Sequence, residues 1–215
     1  MFIENLRMKL GLNDEYDIQC GYEAGCLGYS LYNQLTAAGV KCVILAPTTM
    51  LTPQGVRIKT DMRDAYMIAQ CLSYGGYHAV YIPTEADDSV KEYLRMRNDH
   101  KLALKKIKQQ INAFCIRHGF CYDGTKWTLA HLNWLKKLEI TNELYRETLD
   151  EYMASYEEQE AKIERYDKRI EEIAEQTKYY DKVKKLKCFL GIKTHTALSL
   201  IVENGDFERF AKGNQ

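Results

Sequence analysis

Between Gly124 and Gly191 the chain contains neither glycine nor proline. Those two residues are the usual punctuation of helices, so a stretch this long without them is permission for long helices. Inside it, Leu149, Tyr152, Tyr156, Gln159, Ile163, Tyr166, Ile170 and Ile173 succeed one another by steps of 3, 4, 3, 4, 3, 4 and 3. Glu, Lys and Arg fill the positions between them. This is the heptad seam of a coiled-coil hairpin or dimer helix, with Gln159 as a polar position that sets register. A second seam, Leu104, Ile107, Ile111 and Phe114, steps by 3, 4 and 3 in the preceding segment. Trp127 and Trp134 read as core anchors of the connecting helix.

The first 83 residues have a different grammar, and all three prolines, Pro47, Pro53 and Pro83, fall there. "DIQCGYEAG" (17–25) carries a short alternating strand. "GCLGYSLYNQLTAAG" follows as a helix, with Leu27, Leu31 and Leu35 every four residues and Gly39 past its end. "KCVILAP" (41–47) is a continuous apolar run, the pattern of a strand covered on both faces. A loop then leads to a helix starting at Asp61, with Ala65, Ile68, Ala69 and Leu72 inward until Gly75-Gly76. "HAVYIP" (78–83) is a third extended segment. Strand, helix, strand, helix in this order predicts parallel pairing. A strand such as "CVILA" needs both edges paired, so an isolated chain is expected to dimerise or swap to cover the open one, or to be poorly soluble.

Charge excludes a globally basic nucleic-acid binder: Lys+Arg and Asp+Glu are both 30, so any such surface is a local patch. From Ser89 to His118 there is one, where eight basic residues stand against Glu92 and Asp99. Lys91, Arg95, Arg97, Lys101, Lys105 and Lys108 are the candidate phosphate contacts. A solvated helix face explains the same residues equally well. Lys193, in "LGIKTHTAL", is a further candidate, because that segment resembles the loop of a helix-hairpin-helix. Seven scattered cysteines without CxxC spacing point to reduced thiols rather than a zinc site or disulfide framework. The five histidines form no ligand spacing. No apolar run reaches the roughly 18–20 residues of a membrane span, so the expectation is a cytoplasmic protein with no membrane partner.

The segment "VRIKTDMRDAY" (56–66) places Asp61 and Asp64 three apart in the first turn of a helix. Acidic residues there complement the helix dipole by roughly 0.3–1 kcal/mol, a sufficient structural reason for both. Glu23, at the C-terminal end of the first strand, stands where open α/β sheets place ligands. If the three carboxylates converge, they form an oxygen-rich site for Mg²⁺ or Mn²⁺.

"YEAGCLGYSLYNQLTAAGVKCVILAP" (22–47) followed by "RIKTDMRDAYMIAQCL" (57–72) resembles the insertion sequence 110 group of DEDD transposases, which is related to pilin-gene inverting recombinases. The likeness extends through the "RHGF" turn, "WTLAHLNWL" (127–135) and "LGIKTHTALSLIVENGDFERF" (190–210). The resemblance implies an α/β then all-α chain. Its parts are a partial RNase H-like (RuvC-like) domain at 1–84, a helical coiled-coil region at 85–181, and the start of a helix-hairpin-helix-like C-terminal transposase domain at 182–215. It implies that Glu23, Asp61 and Asp64 are catalytic, metal-binding carboxylates. In that group, metal-bound carboxylates and a serine cut and rejoin DNA, with element-encoded RNA guiding target choice. DNA, guide RNA, a divalent ion and self-assembly through the coiled coil are therefore the implied partners. The group's first Asp and its C-terminal serine have no counterpart here; neither Asp14 nor Asp17 substitutes for the former. The expectation is a chain truncated at both ends and inactive alone. The alternatives are an inert nucleic-acid-binding and assembly module, or a Holliday-junction resolvase-like nuclease.

Overall fold

The computed structural model describes residues 2–11, 17–26, 28–50, 60–205 and 207. The chain folds as two compact units, Met1–Ile82 and Pro83–Gln215. A small parallel sheet with its helices forms the first and a long helical array the second, an α/β-then-helical architecture.

In the first unit, helix α1 (Phe2–Leu10) precedes two strands, β1 (Gln19–Glu23) and β2 (Lys41–Leu45). They pair in parallel, from Gln19 opposite Lys41 to Glu23 opposite Leu45. The connection between them is α2 (Ser30–Ala37). Gly39, at φ +75°, ends it in the left-handed conformation that glycine adopts without a Cβ clash. Tyr22 ties this helix to the sheet: its hydroxyl donates to the Gly28 carbonyl at 2.9 Å and accepts from the Tyr32 N–H at 3.3 Å. No α2 residue is fully buried and Leu31 is exposed; Leu27 lies outside the described residues.

The second edge of β2 is also used. The Ala46 N–H donates to the His78 carbonyl at 3.1 Å, the Val80 N–H to that of Ile44 at 2.8 Å, and Ala79 pairs antiparallel with Leu45. Residues 78–80 of the extended segment read at 78–83 thus flank the C-terminal end of β2 on the edge away from β1. Asp17, at the approach to β1, pairs with Lys41 at 2.6 Å; Asp14 lies outside the described residues.

Helix α3 (Asp61–Tyr74) packs on this sheet. Its inward residues are Met67, Ile68, Cys71 and Leu72, which meet Leu45, Met50 and Tyr77. Ala65 and Ala69, expected inward, are exposed. The larger Met67 and Cys71 side chains fill the space against the sheet, which rotates the buried stripe away from the two alanines.

The second unit is built on two long helices, α4 (Glu85–Arg117) and α6 (Glu143–Ala174), with the shorter α5 (Leu129–Lys136) between them and α7 (Tyr180–Leu186) and α8 (Thr194–Asn204) after them. Thr84, Thr128 and Asn142 cap α4, α5 and α6 by accepting the N–H groups of Asp87, His131 and Tyr145. The long pair is antiparallel: Asp87 meets Tyr179, Arg97 meets Asp167, Lys108 meets Glu160, and His118 packs on Tyr145. The α6 seam therefore closes on α4 of the same chain. Leu104, Ile111, Phe114, Leu149, Met153, Tyr156 and Ile163 bury one half with Leu135 of α5. Leu94, Ile170, Ile173, Tyr179, Ala197, Leu198 and Ile201 bury the other, so α7 and α8 share one core with the long helices. Within the α6 seam, between Tyr156 and Ile163, Gln159 meets the His100 Nδ1 at 2.8 Å, giving the polar seam position its partner.

Trp127 stacks on Tyr156 with ring centroids 5.5 Å apart, and Trp134 stacks on His131. His131 is buried, and its Nδ1 accepts the Trp127 N–H at 3.1 Å. Among the described residues no helix is long and apolar enough to cross a membrane. All seven cysteines are free thiols.

Candidate functional site

Gly21 fixes which way Glu23 points. A Cβ at Gly21 would stand 3.0 Å from Leu72 Cδ1, so that face of β1 is the one α3 covers. Side chains alternate along a strand, so Glu23, two residues on, projects to the α3 face, while Tyr22 projects to the α2 face. Glu23 is half-buried and lies opposite Leu45; just beyond it, the Ala24 N–H donates to the Leu45 carbonyl at 2.9 Å.

Asp61 and Asp64 both lie in the first turn of α3, behind the Thr60 cap. Asp64 is half-buried and Asp61 exposed. Three carboxylates are the hard oxygen donors that Mg²⁺ or Mn²⁺ takes, so the donor set fits such an ion in kind. Among the described residues, however, no group of three His, Cys, Asp or Glu side chains is placed to hold a metal ion. Asp61 and Asp64 stand at the start of α3, the helix that covers the face of β1 to which Glu23 projects.

The basic residues of α4 divide into two sets. Lys91 is buried, with its ammonium 2.9 Å from Glu203. Arg97 grips Asp167 through two hydrogen bonds, and its side chain is 14% exposed. Lys108 pairs with Glu160 at 3.1 Å and lies over the Trp127 and Tyr156 rings. Arg95 is shared between Glu92 and Glu203. These cations are engaged within the unit. Lys101 and Lys105 are exposed on α4, and Lys193 is exposed at the start of α8.

Asp87 is held by Thr84, Lys178 and Tyr179 together. Burial works against its charge, but hydrogen bonds from Lys178, Thr84 and Tyr179 outweigh that cost and hold its pKa below the usual carboxylate range. Tyr156 is pushed up to about 12, first by burial and then by Glu160. His195 is held below the usual histidine value by burial first, then by Arg97, against an opposing pull from Asp167. Its Nε2 is buried and has no hydrogen-bond partner among the described residues.

One feature of this unit escaped the sequence reading. Lys182, Lys184, Lys185 and Lys187 cluster on and just after α7, all exposed. Their signal was the run "KVKKLK" itself.

In sequence the chain has general transposase-family homology at moderate identity, which supports a transposase- or recombinase-like protein. It is 36% identical over 216 residues to the transposase for insertion sequence element IS1533 of Leptospira borgpetersenii, covering 99% of this chain and 61% of that protein. It is 29% identical over 195 residues to the putative transposase y4qE of Sinorhizobium fredii (strain NBRC 101917 / NGR234), covering 90% of this chain and 47% of that one. The chain thus spans between about half and three fifths of the length of these relatives. No family model matches it.

Proposed function

We propose that the chain is a DNA-handling recombinase of the insertion sequence 110 kind. In this reading Glu23, Asp61 and Asp64 are the carboxylates of a divalent-ion site and the helical unit carries the contacts to DNA. The observation that carries it is the 36% identity to a transposase across 99% of the chain. The position of Glu23 at the end of a parallel strand, on the face covered by α3, supports an RNase H-like assignment for residues 1–84. The short α7–α8 pair supports a helix-hairpin-helix-like assignment for 182–215. Guide RNA and self-association belong to the same reading.

A divalent ion, Mg²⁺ or Mn²⁺, would supply charge stabilisation to a phosphodiester under attack. The chain's own part is to present oxygen donors from two elements, with Thr60 fixing the start of α3 and Tyr22 fixing the strand that carries Glu23.

The test is incubation of the protein with supercoiled plasmid and with labelled duplex, in Mg²⁺ and in EDTA, for the wild type and Asp61→Ala. Mg²⁺-dependent nicking lost in Asp61→Ala establishes the full reading. Binding without nicking reduces it to a binding and assembly module. No binding to either DNA overturns it.

A further inference from the structure

The turn joining α7 to α8 is anchored from beneath and apolar on top. Leu186 and Ile192, at its two feet, pack against the core of Tyr179, Val183, Ala197 and Leu198. The Phe189 N–H donates to the Leu186 carbonyl and the Ile192 N–H to that of Phe189, both at 3.1 Å. Gly191, at φ +87°, allows the chain to reverse there. On this fixed turn Phe189 is 64% exposed and Leu190 is fully exposed. Two adjacent large apolar side chains are thereby held in water on an ordered turn.

The charge around the tip says what kind of contact. From Tyr179 to Lys193 the sequence holds five lysines, Lys182, Lys184, Lys185, Lys187 and Lys193, against the single acid Asp181. All five are exposed. A cationic collar with a narrow apolar point suits a polyanion that has an apolar interior reachable through a slot. Duplex DNA is such a partner: lysines neutralise its phosphates, and Phe or Leu wedges enter and unstack its base steps.

We propose that the α7–α8 turn is a DNA wedge, in which the lysines hold the backbone and Phe189 and Leu190 insert at a base step. It rests on the DNA-handling reading above and adds the residues that deform the duplex. An anionic membrane surface shares the charge chemistry. It is disfavoured because interfacial anchoring buries the whole apolar face of a helix, whereas here only a two-residue point is offered.

The experiment uses duplexes of about 30 base pairs carrying 2-aminopurine beside pyrimidine–purine steps, the steps that unstack most readily. Wild-type protein should bind and raise the 2-aminopurine fluorescence severalfold. The double variant Phe189→Ala/Leu190→Ala, which removes exposed side chains only, should lose the rise even at protein concentrations that saturate the duplex. Lys185→Ala/Lys187→Ala should weaken binding and lower the slope of log K against log salt by up to about two, at roughly 0.9 for each phosphate no longer neutralised. Wild-type binding without a fluorescence rise, or an equal rise in the Phe189/Leu190 variant, overturns the wedge while leaving DNA handling intact. Binding to anionic phosphatidylserine vesicles in preference to duplex, abolished in the same variant, also overturns it. Unchanged circular dichroism in both variants confirms that the fold is retained.

Discussion

Leu72 stands over Gly21 so closely that a Cβ there would lie 3.0 Å from one of its methyl groups and 3.2 Å from the other. Leu45 crowds the same point at 2.9 Å. The absence of a side chain at position 21 leaves room for the Leu45 and Leu72 methyl groups, which a Cβ there would force to shift. Gly21→Ala should overpack the site and cost about 1–3 kcal/mol. The check is hydrogen–deuterium exchange at residues 41–45, which should quicken. Leu72→Ala in the Gly21→Ala background should restore part of the protection. Unchanged exchange in Gly21→Ala would mean that Leu45 and Leu72 absorb the added methyl group without loss of packing.

Arg97 and Asp167 form the best-shielded ion pair between α4 and α6, with hydrogen bonds of 2.7 and 3.1 Å. Asp167 is nearly half exposed, so solvent screens part of the attraction. Arg97→Ala should lower the urea-denaturation stability of the helical unit by about 1–2 kcal/mol, as for hydrogen bonds to charged groups. Asp167→Asn should cost less, and the double variant should cost less than the sum. Additive losses would show that the two residues are not coupled.

Asp87 makes the helical unit acid-sensitive. Its pKa is lowered in the fold because its hydrogen bonds to Lys178, Thr84 and Tyr179 outweigh burial. A depressed folded value contributes stability above the unfolded value, about 3.9, and loses it as pH falls below that toward the folded value. Urea midpoints should therefore drop below pH ~4. In Asp87→Asn the midpoint at neutral pH should be lower and that acid step smaller. An undiminished step would assign it to other carboxylates.

Histidine accounts for a second, milder window. His195 and His131 are both held below 6.5, mainly by burial. As pH falls through that value the unfolded chain takes up protons that the folded chain resists, so stability declines between about pH 7 and 5. His195→Gln should flatten this decline in part, with His131 sustaining the remainder. A decline of full size in the variant would remove His195 from the explanation.

Much of this architecture was legible because local patterns carried it. The 3-4 seam from Leu149 to Ile173 specified α6 and its buried face, and Thr60 before Asp61 marked the start of α3. The apolar run 41–45 and the alternating strand before it specified a parallel pair. Long-range pairing was not legible. Lys91 and Arg97 read as phosphate contacts because Glu203 and Asp167, which engage them, lie far along the chain, Asp167 being 70 residues from Arg97. The inward turn of Met67 and Cys71, in place of Ala65 and Ala69, depended on what the sheet offered opposite them. For the same reason, spacing could bring Asp61 and Asp64 onto one helix face but could not fix their distance from Glu23.

DNA affinity measured against salt tests the central claim most directly. Fluorescence anisotropy with a labelled duplex should show binding at about 50 mM salt and a linear fall of log K with log salt, the signature of counterion release by several lysines. Charge-reversal of the exposed lysines Lys101 and Lys105 should shift the whole curve downward. No binding at low salt, or binding indifferent to salt, would contradict the assignment of this chain to DNA.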